Sequence, residues 1–250
     1  YLIIIKLYLL VVSPVNTHPI SLFLTRTRPR IFSKVIYCCQ IGELLSKGFL
    51  AALSYYDLTS IDLRRVRSNS TGADYEEKSL IAEYERSGFY DKLSDTVVKV
   101  MHPKSGIPRK GILVFTAFRK ESNSLVRKLR TLGVDAAIVT CDTPKKERED
   151  ILSKFKRGDI KVVSNCGTLT TGFDYPELDT IILGRPTKSL ALYYQMVGRA
   201  IRPSNGKEGW IIDLAGNYRR FGNVADLYIA RPPGTTKWDV YHFAFPFVFP

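Results

Sequence analysis

Histidine and cysteine are scarce in this chain of 250 residues, which has three of the first and four of the second. His18, His102 and His242 are scattered, and none forms a triad with a serine or cysteine. Cys38, Cys39, Cys141 and Cys166 include no C-x-x-C pair with histidine, so no metal site is expected. The adjacent Cys38 and Cys39 are poorly placed for a structural disulfide, and a reducing cytoplasm is the default location, with a nucleoid or viral replication site as variants of it. Also lacking is a G-x-x-x-x-G-K-S/T loop to cradle phosphates, together with an Asp-Glu box for magnesium. Gly106–Lys110 and Gly206–Gly209 are the nearest glycine–lysine clusters, and neither has the spacing or a leading strand. The apolar run Tyr1 to Val12 contains Lys6 and falls short of the roughly twenty residues of a membrane span. No membrane partner follows, and a signal-peptide core is a weaker reading of that run than a remnant strand or non-native residues. There is no internal repeat.

Acidic side chains are outnumbered. Lys and Arg total 37 against 24 Asp and Glu, giving a net charge of +13. A basic face attracts phosphate backbones, although many basic proteins bind no nucleic acid. With 45% apolar residues, the chain can bury one core domain and a smaller subdomain.

From Gly111 onward, strand and helix patterns alternate. Gly111 to Thr116 is a continuous apolar run, as in a strand buried on both faces. Arg119 to Leu132 reads as a helix with Leu125, Leu129 and Leu132 inward, and Gly133 ends it. Val134–Val139 reads as a strand, and Pro144–Lys156 as a helix with Ile151, Leu152 and Phe155 inward. Lys161–Ser164, Thr180–Leu183 and Trp210–Leu214 are further strands, with a helix from Leu190 to Ile201 before the last. Such alternation implies parallel strands with helical crossovers. The expected fold is therefore α/β: an open, mainly parallel sheet with helices on both faces, preceded by a mostly helical connecting region. In that region Ile41–Lys47 reads as a short helix and Ile61–Val66 as a strand. Asp74 reads as the cap of a helix from Tyr75 to Ser87, and Leu93–Met101 as helical.

Three motifs follow in order. Ile112 to Ala117 is I-L-V-F-T-A, Ser164 to Pro176 is S-N-C-G-T-L-T-T-G-F-D-Y-P, and Tyr194 to Pro203 is Y-Q-M-V-G-R-A-I-R-P. The three-residue step between Arg199 and Arg202 suits one side of a helix, and planar guanidinium groups match phosphate oxygens in pairs. These segments resemble motifs IV, V and VI of superfamily 2 helicases of the DEAD/DEAH type. The likeness is to their second, C-terminal RecA-like motor domain. Trp210 to Asn217, W-I-I-D-L-A-G-N, is similar to the strand and turn that close that domain in repair-type and phage members. The resemblance covers roughly residues 40 to 230 and is most specific from Gly111 to Gly222.

The resemblance implies that Arg199 and Arg202 act catalytically, reaching the γ-phosphate of ATP across a domain interface. It implies nucleotide contacts for Gln195, Gly172 and Asp174, and nucleic-acid contacts for Thr116, Ala117, Thr170, Thr171 and Arg185. Lys188 reads as a solvated charge. ATP and Mg2+ are the implied cofactors, held mainly by a first motor domain in cis or in trans. Single- or double-stranded nucleic acid, DNA by preference, is the implied partner. Without phosphate loop and acidic box, the chain by itself is expected to be inactive. The expected divisions are an apolar and basic segment at 1–40, a connecting region at 41–106, the motor domain at 107–230 and a tail at 231–250. Residues 102–106 read as a hinge, and Thr25–Arg30 as a solvated linker. Two alternatives use the same motifs: a translocating subunit of a restriction or nuclease complex, and a non-catalytic nucleic-acid-binding module.

Overall fold

The computed structural model describes residues 39–103, 106, 108–169, 173–231, 233–234 and 239–243. The run after Gly111 becomes β2, Ile112–Thr116, with all five residues buried. Parallel partners flank it, β4 (Val162–Cys166) on one side and β5 (Thr180–Leu183) on the other. β3 (Ala136–Thr140) pairs with β4, β6 (Glu208–Asp213) with β5, and β1 (Ala52–Asp57) with β6. The result is a six-stranded, all-parallel sheet in the order β1-β6-β5-β2-β4-β3.

Alternation along β2 divides the core in two. Ile112 and Val114 face a layer formed by α2 (Glu77–Ser87), α3 (Phe89–Met101) and α4 (Arg119–Thr131), through Tyr84, Phe89, Leu93, Val97, Leu125 and Leu129. Leu113 and Phe115 face the opposite layer, with Phe155 of α5 (Lys145–Arg157), Tyr193 and Met196 of α6 (Leu190–Val197), and Phe221 of α7 (Asn217–Phe221). Fully burying one such aromatic contributes about 1.5–3 kcal/mol. Gly88, at φ 64°, makes the left-handed corner between α2 and α3. That corner stacks Tyr84 on Phe89 with ring centroids 4.2 Å apart.

The region before residue 107 is not a separate packing unit. β1 extends the sheet, and Tyr84, Phe89, Leu93 and Val97 cover one of its faces. Ahead of β1 lies α1 (Ile41–Ser46). The amide of Gln40 donates to Ile229 O at 2.9 Å and accepts from Ile229 N at 3.0 Å. Ile229 belongs to β7 (Leu227–Ala230), which pairs antiparallel with β8 (Asp239–His242), so the end of the expected motor domain and part of the expected tail form a strand pair.

Several local expectations are corrected. The strand expected at Ile61–Val66 is a loop with a 3-10 turn at Leu63–Arg65, because Asp62 accepts from Arg64 N and pairs with its guanidinium. The strand of this region is β1, nine residues upstream and in register with β6. Leu132 lies past the end of α4 and is 57% exposed. Asp74 does not cap α2, which is led by Glu76; its carboxylate accepts from Tyr75 N and Lys188 N. The segment expected at 1–40 lies outside the described residues up to position 38, as do 104, 105 and 107 around the expected hinge, and 244–250 of the tail. Among the described residues, no helix is long and apolar enough to cross a membrane.

Candidate functional site

The residues singled out from the sequence fall into two groups at different places on the sheet. The first gathers at the carboxyl ends of the strands, where ligands of open parallel sheets bind. Thr116 ends β2, but its side chain is buried, with Oγ1 2.7 Å from Ser122 Oγ and donating to Asn165 O at 3.2 Å. Ser164 Oγ extends this chain to Ser122 at 3.0 Å. Ala117 is half-buried at the rim. Asn165 Oδ1 accepts from Thr168 N at 3.2 Å and Leu169 N at 2.9 Å, and so turns the chain out of β4. Thr170, Thr171 and Gly172, which that turn leads into, lie outside the described residues.

Buried polar groups fix the same rim from below. Glu121 accepts from Phe118 N at 2.7 Å, and burial pushes its carboxyl up to about 7. Arg185 follows β5, half-buried, with Nη2 3.5 Å from Asp74 Oδ2. Its carbonyl accepts from Asn217 Nδ2 at 2.9 Å, while Asn217 Oδ1 accepts from Thr187 N at 2.9 Å. Lys188, expected to be a solvated charge, hydrogen-bonds Ser68 Oγ and lies over the Tyr75 ring. Asp213, at the end of β6, accepts from Tyr218 N at 2.6 Å and Ala215 N at 2.9 Å. Burial raises its carboxyl to about 6 against the pull of those bonds. Together these side chains hold the backbone of four strand-end loops in place.

The second group lies on the α6 face and nearer the amino ends of the strands. α6 starts after β5 and stops at Val197, not at Ile201 as expected. At Gly198 an added Cβ would meet Tyr194 O at 2.9 Å, and the chain leaves the helix through tighter bonds, Arg199 N to Met196 O and Ala200 N to Val197 O. Arg199 and Arg202 therefore sit in a turn beyond the helix rather than on one of its sides. Ile201 O accepts from Ala51 N, immediately before β1, which pins this turn near the strands' amino ends. The strand-end rule that locates the first group does not locate the arginines.

Arg199 is 7% exposed, and Nη1 donates to Phe173 O at 2.6 Å. Burial lowers its pKa, and among the described residues no carboxylate pairs with it. Arg202 is more open and forms an ion pair with Asp174. Gln195 is buried, and its backbone carbonyl accepts weakly from Arg199 Nε at 3.4 Å. Asp174, Gln195, Arg199 and Arg202 are thus brought together. Thr116, Ala117 and Arg185 are held apart from them, at the rim.

Lys207 belongs to this group and was set aside in the sequence as part of the Gly206–Gly209 cluster. Nζ donates to Pro176 O at 2.7 Å and Leu178 O at 3.0 Å, latching the segment after Asp174. Burial lowers it to about 8, with Asp179 acting in the opposite sense. Its only signal was a lysine between glycines. A guanidinium buried without an acid, beside a second one held by an exposed carboxylate, is a fit for phosphate oxygens. Among the described residues no cluster of His, Cys, Asp or Glu gathers that could hold a metal.

Residues 93–204 match the helicase conserved C-terminal domain. The Saccharomyces cerevisiae protein named as the ATP-dependent helicase IRC3 is 31% identical over 194 residues, 76% of this chain and 27% of the relative. A 51.5 kDa Lactococcus phage protein is 32% identical over 179 residues, 72% of this chain and 38% of the relative. The chain thus spans about a quarter to two fifths of the length of these relatives. Among solved structures, a fragment of an HsdR subunit of a type I restriction enzyme from Vibrio vulnificus superposes with a TM-score of 0.61. It is 22% identical and covers 79% of this chain and 38% of that one. The Type ISP restriction-modification enzyme LlaBIII bound to DNA has a TM-score of 0.54 at 20% identity, covering 72% of this chain and 13% of that one.

Proposed function

Because residues 93–204 are a helicase conserved C-terminal domain on a RecA-like sheet, we propose that the chain is the second motor domain of an ATP-dependent nucleic-acid helicase or translocase. One observation carries this reading above the others. Arg199 is a nearly inaccessible cation with no carboxylate partner among the described residues, next to a second arginine in the same turn. Burying an unpaired charge costs several kcal/mol, and a phosphate on a facing domain offsets that cost.

In this reading, ATP with Mg2+, bound chiefly by a first motor domain in cis or in trans, supplies the phosphoanhydride whose hydrolysis drives the cycle. Arg199 stays seated against Phe173 O and points its remaining donors outward. Arg202 exchanges Asp174 for phosphate oxygens as the two domains close. Lys207 keeps the segment from Pro176 to Leu178 against the arginine turn, so that Asp174 stays near Arg202 before and after that exchange. At the other end of the sheet, the loops after Thr116, Asn165 and Arg185 grip a phosphate backbone through main-chain and basic groups, with DNA the favoured strand. Such a grip is independent of sequence and weakens with salt.

The test is Arg202→Ala in a protein that joins this chain to a phosphate-loop motor domain. Turnover of ATP should fall by about 10³–10⁵-fold, the range for a removed arginine finger, while strand binding stays within a few-fold. Turnover that survives the substitution overturns the reading. A translocating subunit of a restriction complex would use the same residues, and DNA cleavage by the complete protein would mark that variant.

A further inference from the structure

Two cysteines lie at neighbouring strand ends, away from the arginine turn. Cys166 is the last residue of β4, and its register partner in β3 is Thr140, with Cys141 next along the chain. Neighbouring parallel strands run about 4.8 Å apart, and Cys141 is the first residue of the turn that follows β3. A disulfide spans that strand spacing. Both sulfurs turn toward the start of α4. Cys166 Sγ donates to Ala117 O at 3.5 Å, and Cys141 Sγ accepts from Arg119 Nη2 at 3.5 Å. Both are free thiols, Cys141 exposed and Cys166 half-buried.

We propose that Cys141 and Cys166 form a redox modification site, in which a hydroperoxide closes a reversible disulfide between the ends of β3 and β4. The exposed Cys141 reacts first, its sulfur lying between the Arg119 guanidinium at 3.5 Å and the Asp142 carboxylate at 3.4 Å, two groups that also pair with each other. Burial pushes the Cys166 thiol up, so it stays protonated while Cys141 reacts. In the first step the Cys141 sulfur attacks one peroxide oxygen, the O–O bond breaks, and the departing oxygen leaves as an alcohol or water. Cys141 is then a sulfenic acid. The Cys166 sulfur attacks it, the S–S bond forms as the S–O bond breaks, and the hydroxide leaves as water. The two thiols lose two electrons and two protons in total, and one hydroperoxide is reduced.

Closure ties the turn at Cys141–Pro144 to the chain just ahead of Gly167, Thr168 and Leu169, which Asn165 orients. The proposal does not rest on the motor reading and is tested without ATP or nucleic acid.

The experiment treats the whole folded chain with hydrogen peroxide, blocks the remaining thiols with N-ethylmaleimide and maps the peptides by mass spectrometry. The Cys141–Cys166 linked peptide should dominate, disappear with dithiothreitol, and persist in a C38S/C39S variant. Cys166→Ser should leave Cys141 as a sulfenic acid captured by dimedone, and Cys141→Ser should leave Cys166 reduced. The proposal is overturned if the wild-type chain gives no such peptide while its thiols oxidise singly. It is equally overturned if the linkages run to Cys38 or Cys39, or between chains.

Discussion

Replacing Glu121 by glutamine isolates one buried titration and makes its effect measurable. Glu121 has 0% exposure, its Oε2 accepts from Phe118 N at 2.7 Å, and burial moves its carboxyl from 4.5 to about 7. A folded-state pKa above the unfolded one means that the native chain holds a proton which the unfolded chain has released. That contribution to stability is fully present below about pH 4.5 and is lost as the pH rises through about 7. At about 1.36 kcal/mol per pH unit, the displacement corresponds to a ceiling of about 3 kcal/mol. Glutamine keeps the acceptor for Phe118 N and carries no charge at any pH. Urea unfolding of both proteins from about pH 4.5 to about pH 8 should show the wild type losing up to about 3 kcal/mol relative to E121Q. Asp213, raised to about 6, titrates in the same direction in both proteins and cancels in the difference. Parallel stability curves across that range would show that the carboxyl is not desolvated as described.

Three further outcomes follow from named contacts. Arg199→Met should leave the chain as stable as the wild type or more so in denaturant titration, since a buried unpaired cation is removed. In the joined protein it should still abolish ATP turnover, and a stability loss of several kcal/mol would instead mark Arg199 as a structural residue. Tyr84→Phe removes the hydroxyl that donates to Gly184 O at 2.9 Å, and should cost about 1–3 kcal/mol of unfolding free energy by leaving that carbonyl unpaired. Gly209→Ala places a methyl 2.7 Å from Leu53 Cδ2 and 3.0 Å from Ala200 O, so β1 or the arginine turn must shift. A loss of about 1–3 kcal/mol is expected by thermal or urea unfolding, and an unchanged midpoint would show that the turn yields freely.

Local pattern alone carried the architecture from Gly111 onward. Runs such as Ile112–Thr116 and Thr180–Leu183 are apolar on both faces, so they demand cover on both sides. Between them, Leu125 with Leu129 and the apolar side of Lys145–Arg157 supply it at helical spacing. The order of the three motifs was legible for the same reason, because each sits at the end of an element whose period is written in adjacent residues. The errors fell where nearby residues do not decide. Ile61–Val66 has strand-like composition, but Asp62 captures Arg64 and turns the chain. Ala52–Asp57 reads as an ordinary half-polar stretch, and only β6 makes it a strand.

The residues of the candidate site divide in the same way. The resemblance to helicase motifs V and VI singled out Asp174, Gln195, Arg199 and Arg202. Their arrangement could not be read from it: the turn past Gly198, the burial of Arg199 under Phe173 O, and the Lys207 latch on Pro176 and Leu178 join segments up to 31 residues apart. Chain periodicity specifies which face of an element is apolar, a property of neighbours in sequence. Which charge loses its water, and which carbonyl receives it, depends on distant segments meeting around a shared core, and only the tertiary structure decides that.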